Sequence, residues 1–298
     1  MLMENMFIKM IRKFGRIANE NALSELTDTK DSLQTTQILL LLKYKELLAR
    51  KASPLPAFDE VGFRCYSQFD EDGILLYLFA MIGATHKVAV EICAGDGRQC
   101  NTANLIINHG WQGYLFDGNS ENIHTGRKYF GEHNNTFIWP PALTCAWITA
   151  ENVNETIGSA GVTGEIDLLS LDIDGMDYWV WKAINRINPR VVLCETNNAI
   201  LQDEALTVPY KADFVRDLNA TPHYHGASLA ATAKLASEKG YRLVGTCRYG
   251  FNAFFIRQDI AKDLFPAVTV ASCLQHPYSK HAHETRWPKL KDLDWVKV

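Results

Sequence analysis

Mainly apolar runs of strand length recur along this chain, separated by stretches of mixed polarity at helical spacing. Residues 87–92, 113–117, 136–139, 166–172 and 190–195 are such runs, each rich in branched or aromatic side chains. Runs this continuous, rather than alternating, belong to strands buried on both faces, and they predict a mostly parallel sheet covered by helices. Helices are expected over 37–50, 178–187 and 228–239. Two further runs, 241–244 and 252–256, flank Gly245-Thr246-Cys247-Arg248-Tyr249-Gly250 and predict an antiparallel hairpin at one sheet edge. The first 60 residues carry no strand pattern. There, Phe7, Met10, Ile11, Phe14 and Ile17 fall at helical spacing beside Lys9, Arg12, Lys13 and Arg16. That pattern predicts a helix packed on its own domain or on a second subunit, with a membrane-surface helix as the alternative. Ala52-Ser53-Pro54-Leu55-Pro56 reads as a linker. The expected organisation is a helical extension over 1–60, an α/β domain over 61–265 and a tail over 266–298.

The segment Val88-Ala89-Val90-Glu91-Ile92-Cys93-Ala94-Gly95-Asp96-Gly97 is the most informative one. An apolar strand ends in an acid and then a Gly-x-Gly turn, and Asn101-Thr102-Ala103-Asn104-Leu105 opens a helix. This is the first strand–turn–helix of a Rossmann-like domain. A dinucleotide site uses a third glycine so that backbone N–H groups and the helix start meet a pyrophosphate. Here Cys100 stands at that third position, and Glu91 and Asp96 place negative charge where a phosphate would be repelled. S-adenosylmethionine (SAM) presents a sulfonium and an ammonium instead, so the turn favours SAM over NAD. Asp117 closes the second strand about 20 residues later, where a ribose is bound. Gly118 and Asn119 follow it, and Gly95, Gly97 and Asn101 complete the expected cofactor pocket.

Acids also end later strands. Asp172-Ile173-Asp174-Gly175 follows the fourth run, and Glu195-Thr196-Asn197 follows the fifth. Ligands of open parallel sheets bind beyond the carboxyl ends of the strands, so these groups converge on one crevice. Asp172, Asp174, Glu195 and Asn197 form a hard oxygen set suited to Mg²⁺ or Mn²⁺; the alternative is that they cap, turn and orient. His223 and His225 precede the 228–239 helix and titrate near neutrality, as a proton acceptor should. His276, His281 and His283 in the tail lack ligand spacing and read as surface histidines.

Composition narrows the classes. A net charge of −4 over 298 residues, without a basic stripe, argues against a nucleic-acid partner. Seven scattered cysteines without CxxC pairs fit reduced thiols and a cytoplasmic location better than disulfides or a zinc site. Apolar runs such as Ile38–Leu42 are far short of the ~20 residues a membrane span needs.

Three segments together carry a family resemblance: Ser67-Gln68-Phe69-Asp70-Glu71-Asp72-Gly73, Val90–Gly97 with Asn101-Thr102, and Leu169-Ser170-Leu171-Asp172-Ile173-Asp174-Gly175. Over about residues 63–258 the chain resembles FkbM-type SAM-dependent methyltransferases. The resemblance implies a class I methyltransferase fold, α/β and Rossmann-like, with a seven-stranded sheet ending in an antiparallel hairpin. It implies that Glu91, Gly95, Asp96 and Asp117 line the cofactor. It also implies that Asp172 and Glu195 match the magnesium-binding acids of metal-dependent O-methyltransferases, although those enzymes usually carry Asp-Asn where this chain has Glu195-Thr196-Asn197. The expected reaction is methyl transfer to a hydroxyl of a sugar or other small molecule such as a natural product. Asp172 and His225 or His223 would be catalytic, and a homo-oligomer would form through the N-terminal helices. A NAD-dependent oxidoreductase or epimerase and a non-catalytic scaffold are the competing readings.

Overall fold

The computed structural model describes residues 33–201 and 204–298. Residues Phe7 to Ile17, on which the amphipathic helix and the subunit contact were expected, lie outside the described residues. The chain forms two compact units, Met1–Ala52 and Ser53–Val298. In the first, α1 covers 33–49, close to the expected helix, with Ile38, Leu39 and Leu42 exposed. No helix among the described residues is long and apolar enough to cross a membrane.

The second unit is built on a seven-stranded sheet of order β3-β2-β1-β4-β5-β8-β7. Its strands are β1 (Val88–Ile92), β2 (Gln112–Asp117), β3 (Ala142–Cys145), β4 (Gly164–Leu171), β5 (Ile187–Glu195), β7 (Tyr241–Thr246) and β8 (Asn252–Arg257). β1 to β5 pair in parallel, and β8 runs antiparallel to both β5 and β7. The Rossmann-like sheet with an edge hairpin is therefore as expected. Its central strands are buried on both faces: Leu168, Leu169, Leu171, Val191, Val192, Leu193, Phe254 and Phe255 have no exposed surface. This explains why their sequences do not alternate.

Helices α2 (Phe58–Val61), α3 (Glu71–Ile82), α4 (Ala103–His109), α5 (Ser120–Glu132), α6 (Val153–Ser159), α7 (Asp177–Ala183) and α8 (Leu229–Glu238) connect the strands. The start of α3 is fixed by a carboxylate. Asp72 Oδ2 accepts from the backbone N–H groups of Cys65, Tyr66 and Ser67 at 2.6–2.8 Å, and from Ser67 Oγ. This accounts for the Ser67–Gly73 motif: the acid gathers donors that would otherwise be buried without partners.

Two expected elements differ. Residues 136–139 are not a strand. The N–H groups of Thr136 and Phe137 donate to the His133 carbonyl and that of Trp139 to Thr136, so the segment extends the turn after α5. Ile138 and Trp139 are left 80% and 76% exposed. Pairing with β2 falls instead to 142–145, past the two prolines. α7 is shorter than 178–187 because Asn154 Oδ1 accepts from the N–H groups of Asn185 and Arg186, turning the chain into β5 at Ile187.

The last 33 residues fold back onto the unit. α9 (Val270–Cys273) and α10 (Pro277–Leu290) are followed by β9 (Val296–Lys297), which pairs antiparallel with β6 (Leu206–Thr207) in a second, two-stranded sheet. Trp287 and Leu290 of α10 bury Ala199, Ile200 and Leu206.

Candidate active site

The strand order reverses between β1 and β4, and an open α/β sheet binds its ligands at such a switch point. Cys93 follows β1 and Asp172 follows β4. Two adjoining chambers open there, and Gln68, Cys93, Asp172 and Asn252 line both.

The smaller chamber, about 190 Å³, is completed by Glu91, Gln99, Cys100 and Asn101. Glu91 is buried and holds the turn. Its oxygens accept from the N–H groups of Asn101 and Thr102 at 2.9 and 2.8 Å, from Thr102 Oγ1 at 2.6 Å and from Ser170 Oγ at 3.3 Å. Asn101 donates in turn to Ser170 Oγ. Asp117 Oδ2 accepts from Gly95 N–H, and Oδ1 accepts from Asn119 N–H and the Asn122 amide. Both acids thus shape the crevice by gathering donors. Asn119 caps α5 by accepting from Glu121 N–H. Asp96 is turned away: its carboxylate pairs with Arg98, whose Nε lies at 2.7 Å. That pair neutralises the charge expected to repel phosphate, and the acids that line the chamber are Glu91 and Asp172. Gly97 is required by packing, because at φ +74° a Cβ would lie 2.5 Å from Phe130. Gly118 sits beneath an indole, since a Cβ there would meet Trp147 at 2.9 Å.

Cys93 itself stands at φ +67°, left-handed backbone that L side chains rarely adopt. Its side chain is open to the crevice, and its thiol is pushed up by desolvation among the surrounding groups and by the nearby carboxylates of Asp117 and Asp172.

The larger chamber, about 460 Å³, brings Asp172, Asp174, Glu195, Asn197, His223 and His225 together. Burial, then mutual repulsion with Asp177 and Asp174, raises Asp172. Glu195 is raised well above its ordinary range by burial and by Asp172. His225 is buried and depressed to about 4, chiefly by desolvation. Its Nδ1 lies 3.8 Å from Glu195 Oε2, and neither atom has a hydrogen-bond partner. Since burial favours the neutral form of each, this is two orphaned polar groups facing one another rather than an ion pair. His223 is held lower by desolvation and by Arg286, Arg216 and Lys289.

Asn197 and Asp177 have structural work. The Asn197 amide donates to the carbonyls of His223 and His225 at 2.9 Å, while its oxygen accepts from Ala199 N–H. It carries the histidine loop and has no oxygen turned to a cation. Asp177 caps the turn after β4 by accepting from Ile173 and Gly175 N–H. In the place of Asn197, His225 joins the acids: ligand atoms of Asp174, Glu195 and His225 lie within 4.8 Å of one another.

Some lining residues gave no signal in the sequence. Arg216 pairs with Asp174 at 2.7 Å and donates from Nε to the Pro222 carbonyl. Phe69 stacks on Phe251 with centroids 4.9 Å apart, and Tyr278 and Arg286 come from α10. Of the tail histidines, His276 caps α10 and His283 bonds the Ala199 carbonyl.

No protein-family model matches the sequence, and no curated protein does. Solved structures similar in fold are methyltransferases. Magnesium protoporphyrin IX methyltransferase from Synechocystis PCC 6803 with bound SAM is 11% identical, over 63% of this chain and 77% of that one, at a TM-score of 0.40. An O-methyltransferase from Bacillus cereus in complex with S-adenosylhomocysteine (SAH) is 14% identical over 72% and 88%, at 0.40. The N-terminal domain of EvdMO1 in the presence of SAH and D-fucose is 15% identical over 73% and 93%, at 0.41. These are distant likenesses of fold and carry no correspondence of residues.

Proposed function

We propose that this chain is a SAM-dependent methyltransferase of FkbM type that methylates a hydroxyl of a small molecule, a sugar first among them. One observation carries the reading. At the switch point the smaller chamber is lined by Glu91 and Asp172 and by no lysine or arginine, and it adjoins a larger chamber at Cys93 and Asp172. An acidic chamber free of cations suits an ammonium and a sulfonium, and it disfavours the pyrophosphate of a dinucleotide.

In this reading Glu91, Gly95, Gly97 and Asn101 shape the turn under the cofactor, and Asp117, Gly118 and Asn119 form the ribose side, with Trp147 against Gly118. Bound there, SAM would supply an electrophilic methyl group for the acceptor oxygen, with SAH as the leaving product. The protein's task is to hold the acceptor in line at the Asp172–Cys93 junction and to take its proton. Asp174, Glu195 and His225, with Asp172 beside them, would hold a divalent cation, which lowers the pKa of a hydroxyl. Such an ion would satisfy the orphaned Glu195 Oε2 and His225 Nδ1. An imidazole among carboxylates suits Mn²⁺ better than Mg²⁺. His223, kept neutral in the same cavity, would take the proton at a ring nitrogen.

The test is calorimetric titration of chelated protein with SAH, alone and with Mn²⁺ or Mg²⁺. Binding at about micromolar Kd is expected, and Glu195→Gln should abolish the heat of the cation while sparing that of SAH. Absence of SAH binding under every condition would remove the reading.

A further inference from the structure

One of the two arginines that line the larger chamber is not paired with any of its carboxylates. Arg216 is satisfied, bonded to Asp174 and to the Pro222 carbonyl. Arg286 is not. It is half-buried on α10, donates from one Nη to the Tyr278 hydroxyl at 2.8 Å and lies 5.4 Å over that ring. It has no carboxylate partner among the described residues. The Tyr278 contacts fix the direction of the guanidinium without neutralising it, which leaves its remaining donors for a ligand. Beside it Tyr278, Phe251 and Phe69 form an aromatic row, with centroids 5.7 Å and 4.9 Å apart in turn. All four residues line the cavity that contains Asp172 and Glu195.

We propose that the acceptor is a hydroxylated ring bearing an anionic group, a carboxylate or a phosphate. Arg286 binds the anion, the aromatic row receives the ring face, and the hydroxyl reaches the acids at the ends of β4 and β5. A guanidinium suits either oxyanion because its fork can donate two parallel bonds. An aromatic face suits a sugar ring or an aromatic acid equally. The proposal rests on the methyltransferase reading for the hydroxyl's fate, and on the cavity alone for the anion.

The direct test follows the Arg Nε–H resonances of the full-length protein labelled with ¹⁵N-arginine. The Arg286 signal is assigned by its loss in Arg286→Lys. Inorganic phosphate and acetate are titrated separately. Saturable movement of the Arg286 signal is expected, and the tighter of the two anions identifies the phosphate or carboxylate source. Glucuronate and glucose 6-phosphate are then compared with glucose by calorimetry in the presence of SAH. The charged sugar matching that source should bind about tenfold tighter or better, as charge-assisted hydrogen bonds provide, and Arg286→Gln should erase the preference. An Arg286 signal unmoved by both anions would overturn the proposal, as would glucose binding as tightly as the charged sugar that matches the tighter anion. SAH binding is measured independently of Arg286. Anion binding without SAH binding would sink the methyltransferase reading alone, and the reverse would sink only the anionic acceptor.

Discussion

Single residues at the first turn show what the pattern of types can and cannot specify. The acids were legible, because Glu91 and Asp117 each close an apolar strand. Their orientations were not. Whether a carboxylate faces a chamber or a neighbour depends on single rotamers, as Asp96 shows by turning to Arg98. Cys93 is strained, since its φ of +67° is an orientation glycine adopts freely. Cys93→Gly should therefore raise stability by roughly 0.5–1 kcal/mol, the relief exceeding glycine's added entropy in the unfolded chain, whereas Cys93→Val should lower it. Urea unfolding of the two variants decides this. His109, the last residue of α4, gives a pH prediction. A helix carboxyl end favours a charged imidazole, yet burial and the neighbouring Lys87 depress it to about 4. The unfolded chain takes up this proton near pH 6.5 and the folded protein only near 4. Stability from this group is therefore complete above about pH 6.5 and is lost as pH falls towards 4. Discounted for its partial exposure, it amounts to about 2 kcal/mol. His109→Gln should remove that slope, which urea midpoints of both proteins at about pH 5 and about pH 7 would measure. Equal slopes in the two proteins would refute the assignment.

At the scale of elements, what was legible follows from how many residues specify each one. β1, β2, β4, β5 and the β7–β8 hairpin are each five to nine residues of buried or edge strand, and their runs stand out. Four residues at 136–139 have the same composition, but their N–H groups are captured by the turn after α5, so composition could not separate them from β3. Helix α8 was legible through its apolar spacing and through Ser228, whose role is larger than a cap. Ser228 Oγ accepts from Ala231 N–H at 3.1 Å, accepts from Leu206 N–H at 3.1 Å and donates to the Glu204 carbonyl at 2.8 Å. It ties the start of α8 to β6, and the histidine loop runs between those two points. Ser228 itself has no exposed surface, and Ser228→Ala would leave all three groups without that partner. The expected loss is about 2–3 kcal/mol. Thermal unfolding measures it. A loss no greater than that of an exposed cap substitution would show that the hydroxyl serves α8 alone.

At the scale of the whole molecule, the sheet was legible and the elements that close over the larger chamber were not. β6 and β9 are two residues each and lie about 90 positions apart, so no periodicity marks their pairing. The same holds for α10, whose hydrophobic face is split among Ala282, Trp287 and Leu290 while Tyr278 and Arg286 turn to the cavity. Yet these elements hold the loop that carries His223 and His225. Val298 N–H donates to the Ala205 carbonyl, the Tyr224 hydroxyl donates to the Asp294 carbonyl, and the rings of Tyr224 and Trp295 meet at 4.9 Å. Asp294, Trp295 and Val298 thus brace, from behind, the segment that carries the two histidines. Deleting 291–298 should leave the seven-stranded sheet intact, because none of its strands is removed. It should also free the segment from β6 to α8. Amide exchange reads the two separately. Protection over 88–92 and 164–171 should persist, while exchange over 204–228 should quicken by at least about tenfold, equivalent to about 1.4 kcal/mol of local stability. Unchanged protection over 204–228 would mean that Asn197 and Ser228 alone hold the loop. Loss of protection across the sheet would mean that the C-terminal residues are part of the folding core rather than a brace built onto it.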